Sequence, residues 1–150
     1  MAHTYTNLLT HIIFSTKDRH PFVDGELRER LFPYMGGIVN QLGGTPILIN
    51  GPIDHVHMLV VMPPTMSVAD FVGKVKSNSS GWIHKQWAAR AKFAWQIGYG
   101  AFSVSGSMKE DVKVYIANQE EHHRKVTFQE EFIAFLKRHE IEYDERYIWD

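Results

Sequence analysis

Residues 55–62 read HVHMLVVM, with Gly51-Pro52 before them and Pro63-Pro64 after. A turn on one side and a double proline on the other confine this run to a strand. Alternate side chains of a strand share a face, so His55 and His57 point together and Val56 and Met58 point away from them. A strand this apolar thus carries two imidazoles side by side. Either they are satisfied core polar groups, or they converge on something.

The flanking pattern predicts one fold. Residues 5–15 read as a strand rich in Thr, Ile, Tyr and Phe, and residues 46–50 as another. Asp24 is placed to cap a helix with Leu27, Leu31, Tyr34, Ile38 and Leu42 on its apolar side, ended by Gly43-Gly44. Pro33 inside that pattern predicts a kink or break. Ser67 and Asp70 open a second helix with Phe71, Val75 and Trp82 inward, and residues 95–105 form a further extended stretch bent at Gly98 and Gly100. Ser107-x-x-Glu110 and Thr127-x-x-Glu130 are capping boxes that predict helices over 107–125 and 127–139, followed by an aromatic tail that docks on the rest. The order β-α-β-β-α-β-α-α predicts an α+β fold: a ferredoxin-like (RRM-like) antiparallel sheet with helices packed on one face, in a single domain over 1–150.

Composition excludes several chemistries. The chain has no cysteine among its 150 residues, which removes disulfides, thiolate catalysis and cysteine-ligated zinc, and fits a cytoplasmic protein. The start, MAHTYTNLL, lacks a signal-peptide pattern, and no segment reaches the roughly 20 apolar residues of a membrane span. Net charge is −1, but residues 65–92 hold Lys74, Lys76, Lys85, Arg90 and Lys92 against Asp70 alone. Such a stripe can bind phosphates in a nearly neutral chain, or be a solvated helix face.

With nine histidines in the chain, one H-x-H is a weak metal signal. A site needs a third ligand. On the helix opened at Ser107, Tyr115 and Gln119 are one turn apart and share the stripe of Val112 and Ile116. A Gln on an apolar stripe is costly unless its amide is satisfied, and its carbonyl ligating a metal at His55 and His57 would satisfy it. The bland alternatives are a core tyrosine and a glutamine that reaches water. His122 and His123 are rival ligands that diverge as neighbours on the helix.

The stretches DHVHMLV, VYIANQEEHHRK and WQIGYGAFSVS, with THIIFSTKDR at the start and IEYDERYIWD at the end, resemble a known family. These are the IS200-like single-tyrosine transposases of small bacterial insertion sequences, within the His-hydrophobic-His (HUH) endonucleases. The resemblance implies His55, His57 and Gln119 as ligands of Mg²⁺ or Mn²⁺ and Tyr115 as nucleophile. It further implies single-stranded DNA with a hairpin as substrate, a 5′-phosphotyrosine intermediate, and action at the nucleoid. Lys17, Arg19, Lys74 and Lys76 are the expected DNA contacts. A homodimer is expected, with the tyrosine helix of one subunit completing the histidine pair of the other. The alternatives are a non-catalytic single-stranded nucleic-acid binder of the same fold, a metal-dependent hydrolase, and a domesticated relative.

Overall fold

The computed structural model describes residues 3–150. Its strands are β1 (Leu9–Ser15), β2 (Thr45–Asn50), β3 (His55–Val61) and β4 (Gly100–Ser103). Its helices are α1 (Gly25–Gln41), α2 (Val68–Gln86), α3 (Lys109–Ala117), α4 (Gln119–His122) and α5 (Phe128–Arg138). The sheet runs β2-β3-β1-β4 with every neighbouring pair antiparallel, the strand order of a β-α-β-β-α-β ferredoxin-like unit.

Strand alternation separates the sheet's faces by chemistry. Ile12 and Phe14 of β1, with Val56, Met58 and Val60 of β3, pack against Leu27, Leu31 and Met35 of α1 and Phe71, Val72 and Val75 of α2. All are buried, and each contributes about 1.5–3 kcal/mol by leaving water. That layer is apolar throughout. The opposite face presents Leu9, His11 and Ile13 from β1 and His55, His57 and Leu59 from β3. Here the structure goes beyond the expected single helical layer: α3 lies over β2 and β3, and α5 packs Phe128, Phe132 and Leu136 against Ile13 and Phe102. Tyr143, Ile148 and Trp149 of the tail join that cluster, so the tail docks as its aromatics predicted.

Several local expectations are corrected. Helix α1 runs unbroken through Pro33, which sits on the exposed side where water can serve the carbonyl left without a donor. Asp24 precedes α1, but its carboxylate takes the Arg90 guanidinium at 2.7 Å instead of capping. Ser107 forms no capping box: it lies in a 3₁₀ turn, its hydroxyl bonded to Ser105, and α3 starts at Lys109. Ser67 and Thr127 do cap their helices, Thr127 in a full box with Glu130. Trp82 is only half-buried and stacks on Tyr34 at 4.1 Å.

The helix expected over 107–125 is interrupted at Asn118. Its freed carbonyls have a partner: Asn50 Nδ2 donates to Ile116 O at 2.9 Å and to Ala117 O at 3.4 Å. Arg28 in turn donates to Asn50 Oδ1 at 3.1 Å and Gly51 O at 2.9 Å, and pairs with Glu120 at 3.1 Å. The break in the helix is therefore tied to the end of β2.

Candidate metal centre and nucleophile

Both histidines of β3 are fully buried, and their Nε2 atoms meet two groups from elsewhere in the chain. Glu131 Oε1, from α5, lies 3.0 Å from His57 Nε2, 3.3 Å from His55 Nε2 and 3.1 Å from His123 Nε2. His55 Nε2 and His123 Nε2 are 3.1 Å apart. One ligand atom from each of these four residues lies within 4.8 Å of all the others, so the group can hold a metal ion. Adjacent ligands of an octahedral ion with bonds of about 2.1 Å stand roughly 3.0 Å apart, close to the separation of Glu131 Oε1 from His57 and His123.

The second nitrogens explain why these rings point inward. Asp54 Oδ1 accepts from His55 Nδ1 at 2.7 Å, which holds a proton on Nδ1 and makes Nε2, facing the cluster, the nitrogen that can give up its proton to a cation. His57 Nδ1 is 2.8 Å from Nε2 of His11, a buried residue of β1.

Electrostatics follow from burial and the one carboxylate. Desolvation alone would raise Glu131, but hydrogen bonds from His123, His55 and His57 hold it well below the usual carboxylate range. Burial lowers His57 to about 4, against the pull of Glu131. Burial acts the same way on His55, yet its bonds to Asp54 and Glu131 win and raise it. A cation in place of the shared protons would satisfy the same donor set.

Tyr115 projects from α3 to this cluster. Its hydroxyl donates to Glu131 Oε2 and lies 3.3 Å from His122 Nε2. Burial first, then the charge of Glu131, raise the phenol well above its ordinary value. Gln119, one turn on, is fully buried; its Nε2 donates to Tyr115 O at 3.3 Å. Its carbonyl oxygen is the one buried side-chain polar atom without a partner among the described residues. An orphaned buried acceptor just past the tyrosine's helix, bonded back to Tyr115 O, fits a site that takes a cation.

Residues 4–119 match the family described as "Transposase IS200 like". The chain belongs to the IS200-like transposase family. It is a DNA transposase by that membership, and its site has the make-up of an HUH-type tyrosine enzyme. It is 30% identical over 124 residues to the transposase for insertion sequence element IS200 of Salmonella typhimurium, covering 79% of this chain and 81% of that one. It is 27% identical over 117 residues to the ISDra2 transposase TnpA of Deinococcus radiodurans, covering 73% and 81%. A crystal structure of a Deinococcus radiodurans R1 protein assigned as a transposase superposes with TM-score 0.59 at 26% identity, covering 79% of this chain and 96% of that one. The REP-associated tyrosine transposase bound to a REP hairpin has the same fold, at TM-score 0.59 and 12% identity, over 84% and 74% of the chains.

The transposase's expected DNA contacts fall in different places. Arg19 lines a cleft of about 670 Å³ that reaches His123 and Asp54 and is also bordered by Arg28 and Arg124. Lys17 is exposed just before it. Lys74 is exposed on α2, across the sheet from the histidines. Lys76 is not free at all: its ammonium donates to Gln96 O at 2.8 Å, Ile97 O at 3.2 Å and Gly98 O at 2.5 Å. Its charge holds α2 to the approach of β4.

Within one chain the tyrosine helix already lies beside the histidine pair. Helix α3 lies on its own β2 and β3, and the Tyr115 and His57 rings are 5.8 Å apart. Sequence reasoning missed Glu131 and His11. Glu131 shares the α5 stripe of Phe128, Phe132 and Phe135, and an acid on an apolar stripe was the available signal. His11, between Leu9 and Ile13 on the inward face, was a similar one.

Among the described residues, no helix is long and apolar enough to cross a membrane.

Proposed function

We propose that this chain cleaves and rejoins single-stranded DNA at Tyr115, through a 5′-phosphotyrosine intermediate. The observation that carries the reading is the Tyr115 hydroxyl set against a four-residue ligand cluster inside one chain. His55, His57 and Gln119 would hold Mg²⁺ or Mn²⁺, with His123 and Glu131 as further ligands. The ion would supply positive charge to polarise the scissile phosphate and stabilise charge developing on it.

The chain's own groups do the rest. Tyr115 Oη attacks the phosphorus, and the bond to the 3′ oxygen breaks. The phenol gives up its proton as its bond to phosphorus forms, and the departing oxygen takes a proton from solvent to become a free 3′-OH. Because the phosphodiester is conserved as a tyrosyl ester, rejoining needs no nucleotide cofactor. Arg19, Lys17 and Arg124 guide the strand along the cleft by its phosphates. A hairpin-bearing single strand is the favoured substrate, since a structural relative is described as bound to a REP hairpin. Residues 1–150 act as one unit, in the cytoplasm at the nucleoid. A homodimer would bring two element ends together.

The test is covalent capture with Mg²⁺ or Mn²⁺ on hairpin-bearing single strands. A protein-linked 5′ fragment and a hydroxyl-ended 3′ fragment are expected, and both vanish in Tyr115→Phe while DNA binding persists. Free 5′-phosphate product that survives Tyr115→Phe would replace this reading with a hydrolase.

A further inference from the structure

We propose that His11 is a positioning residue of the metal centre: through its hydrogen bond to His57 Nδ1 it fixes the plane and tautomer of His57, so that Nε2 is the ligating atom. The proposal rests on the reading of His55 and His57 as metal ligands.

His11 is placed to do this and is held there. It lies on β1, which is paired on both sides, and its register partner Leu59 makes it the diagonal neighbour of His57 on the same face. The two rings are 5.1 Å apart with only 30° between their planes. Phe102, Tyr115 and Phe135 each meet the His11 ring edge-on, at 6.5, 6.4 and 5.2 Å, which leaves it little room to swing.

The choice of an imidazole has a chemical reason. Asp54 can only accept, so it commits His55 to one tautomer. His57 needs two. While its Nε2 faces Glu131 Oε1 at 3.0 Å, that nitrogen must carry the proton, and Nδ1 then accepts from His11 Nε2–H. With a cation on Nε2 the proton must sit on Nδ1 and be donated to a bare His11 Nε2. A neutral imidazole meets both demands by moving its own proton to Nδ1. The pair then holds two ring protons in either state. The His11 ring borders a cleft of about 260 Å³, through which that proton can exchange. A carboxylate at position 11 could not donate, and a lysine could not accept.

The experiment combines imidazole ¹⁵N NMR with metal titration of the full chain, using Zn²⁺ as diamagnetic probe and Mn²⁺ for affinity. In the unsubstituted protein, Zn²⁺ should move the His57 proton from Nε2 to Nδ1. His11→Leu should weaken Mn²⁺ binding by about 10–100-fold, the usual cost of losing such a partner. His11→Gln, whose amide can donate or accept from nearly the same place, should recover most of that loss. The tautomer shift reports ligation through Nε2, and a purely structural role of His11 predicts no rescue by His11→Gln. The proposal is overturned if Zn²⁺ binds through His57 Nδ1, or if His11→Leu binds Mn²⁺ as well as the parent. If His11→Leu fails to fold, the tautomer in the parent and the affinity of His11→Gln decide. Absence of metal binding in the parent would remove the ligand reading itself. Parental Mn²⁺ affinity and intact cleavage in His11→Leu would remove only the role of His11.

Discussion

The Tyr115 hydroxyl donates to Glu131, the same carboxylate whose other oxygen lies 3.0 Å from His57 Nε2. One acid thus ties the candidate nucleophile to the candidate ligands, and its charge opposes formation of a second negative charge on the phenol. Glu131→Gln removes that charge. Tyr115 should be the last of the six tyrosines to ionise in the parent and should ionise at lower pH in Glu131→Gln. Phenolate absorbance, compared with Tyr115→Phe to isolate this ring, reads the change. An unchanged titration would mean that burial alone raises Tyr115.

The metal-free protein should lose stability on mild acidification. The folded-state value of His57, about 4, lies below that of the unfolded chain. Its contribution is therefore present above about pH 6.5 and is lost as pH falls toward 4. The slope from one such group cannot exceed about 1.4 kcal/mol per pH unit. His55, raised by Asp54 and Glu131, works in the opposite sense: its contribution is present below the unfolded value and is lost as pH rises through the folded one. Urea midpoints between pH 4 and 8 should fall on the acid side, and His57→Gln should flatten that fall. A steeper acid loss in His57→Gln would contradict the assignment.

Asn50→Ala should separate tyrosine placement from metal binding. It removes the donor to the Ile116 and Ala117 carbonyls and leaves the four-residue cluster untouched. We expect a stability loss of about 1–2 kcal/mol and a larger effect on covalent adduct formation, about tenfold or more. Mn²⁺ affinity should stay at the parent level. Adduct formation at the parental rate would show that Tyr115 needs no support from β2.

Mixing His57→Ala with Tyr115→Phe tests whether the site is built within one chain. Helix α3 lies on its own sheet, so no mixture should regain cleavage. Exchange of tyrosine helices between subunits would instead restore about a quarter of the sites after complete reassortment. Measurable recovery would place α3 on a partner during reaction.

Two basic residues on opposite sides of the sheet should behave differently. Lys76→Met loses three carbonyl partners and should lower the urea midpoint, at a cost of about 1–3 kcal/mol, with no change in the salt dependence of DNA affinity. Arg19→Ala should leave folding intact and reduce that salt slope by about one. The reverse pattern would return Lys76 to the DNA surface.

What was legible in the sequence follows from how local each signal is. The face shared by His55 and His57 follows from strand alternation alone, and the stacking of Tyr115 and Gln119 from helical spacing, so both survive in the structure. The four-strand order also follows, because short connections leave few topologies. Glu131 was not legible as a site residue. It reaches β3 only through the packing of α5, 74 residues along the chain from His57. The break at Asn118 was hidden for a similar reason, since the groups that support it, Asn50 and Arg28, belong to distant elements. Lys76 misled because charge composition cannot tell a solvated ammonium from one enclosed by carbonyls.

The alternation of β1 and β3 has a consequence for how this protein tolerates change. Even-numbered positions 12, 14, 56, 58 and 60 face the apolar α1/α2 layer, whereas odd-numbered 11, 55 and 57 face the cluster. In a saturation library scored for both abundance and strand cleavage, parity alone should sort much of these two strands. Even positions would lower the amount of protein, and odd histidine positions its turnover. A lineage drifting away from transposition would then shed its odd-numbered histidines first and keep its even-numbered hydrocarbons.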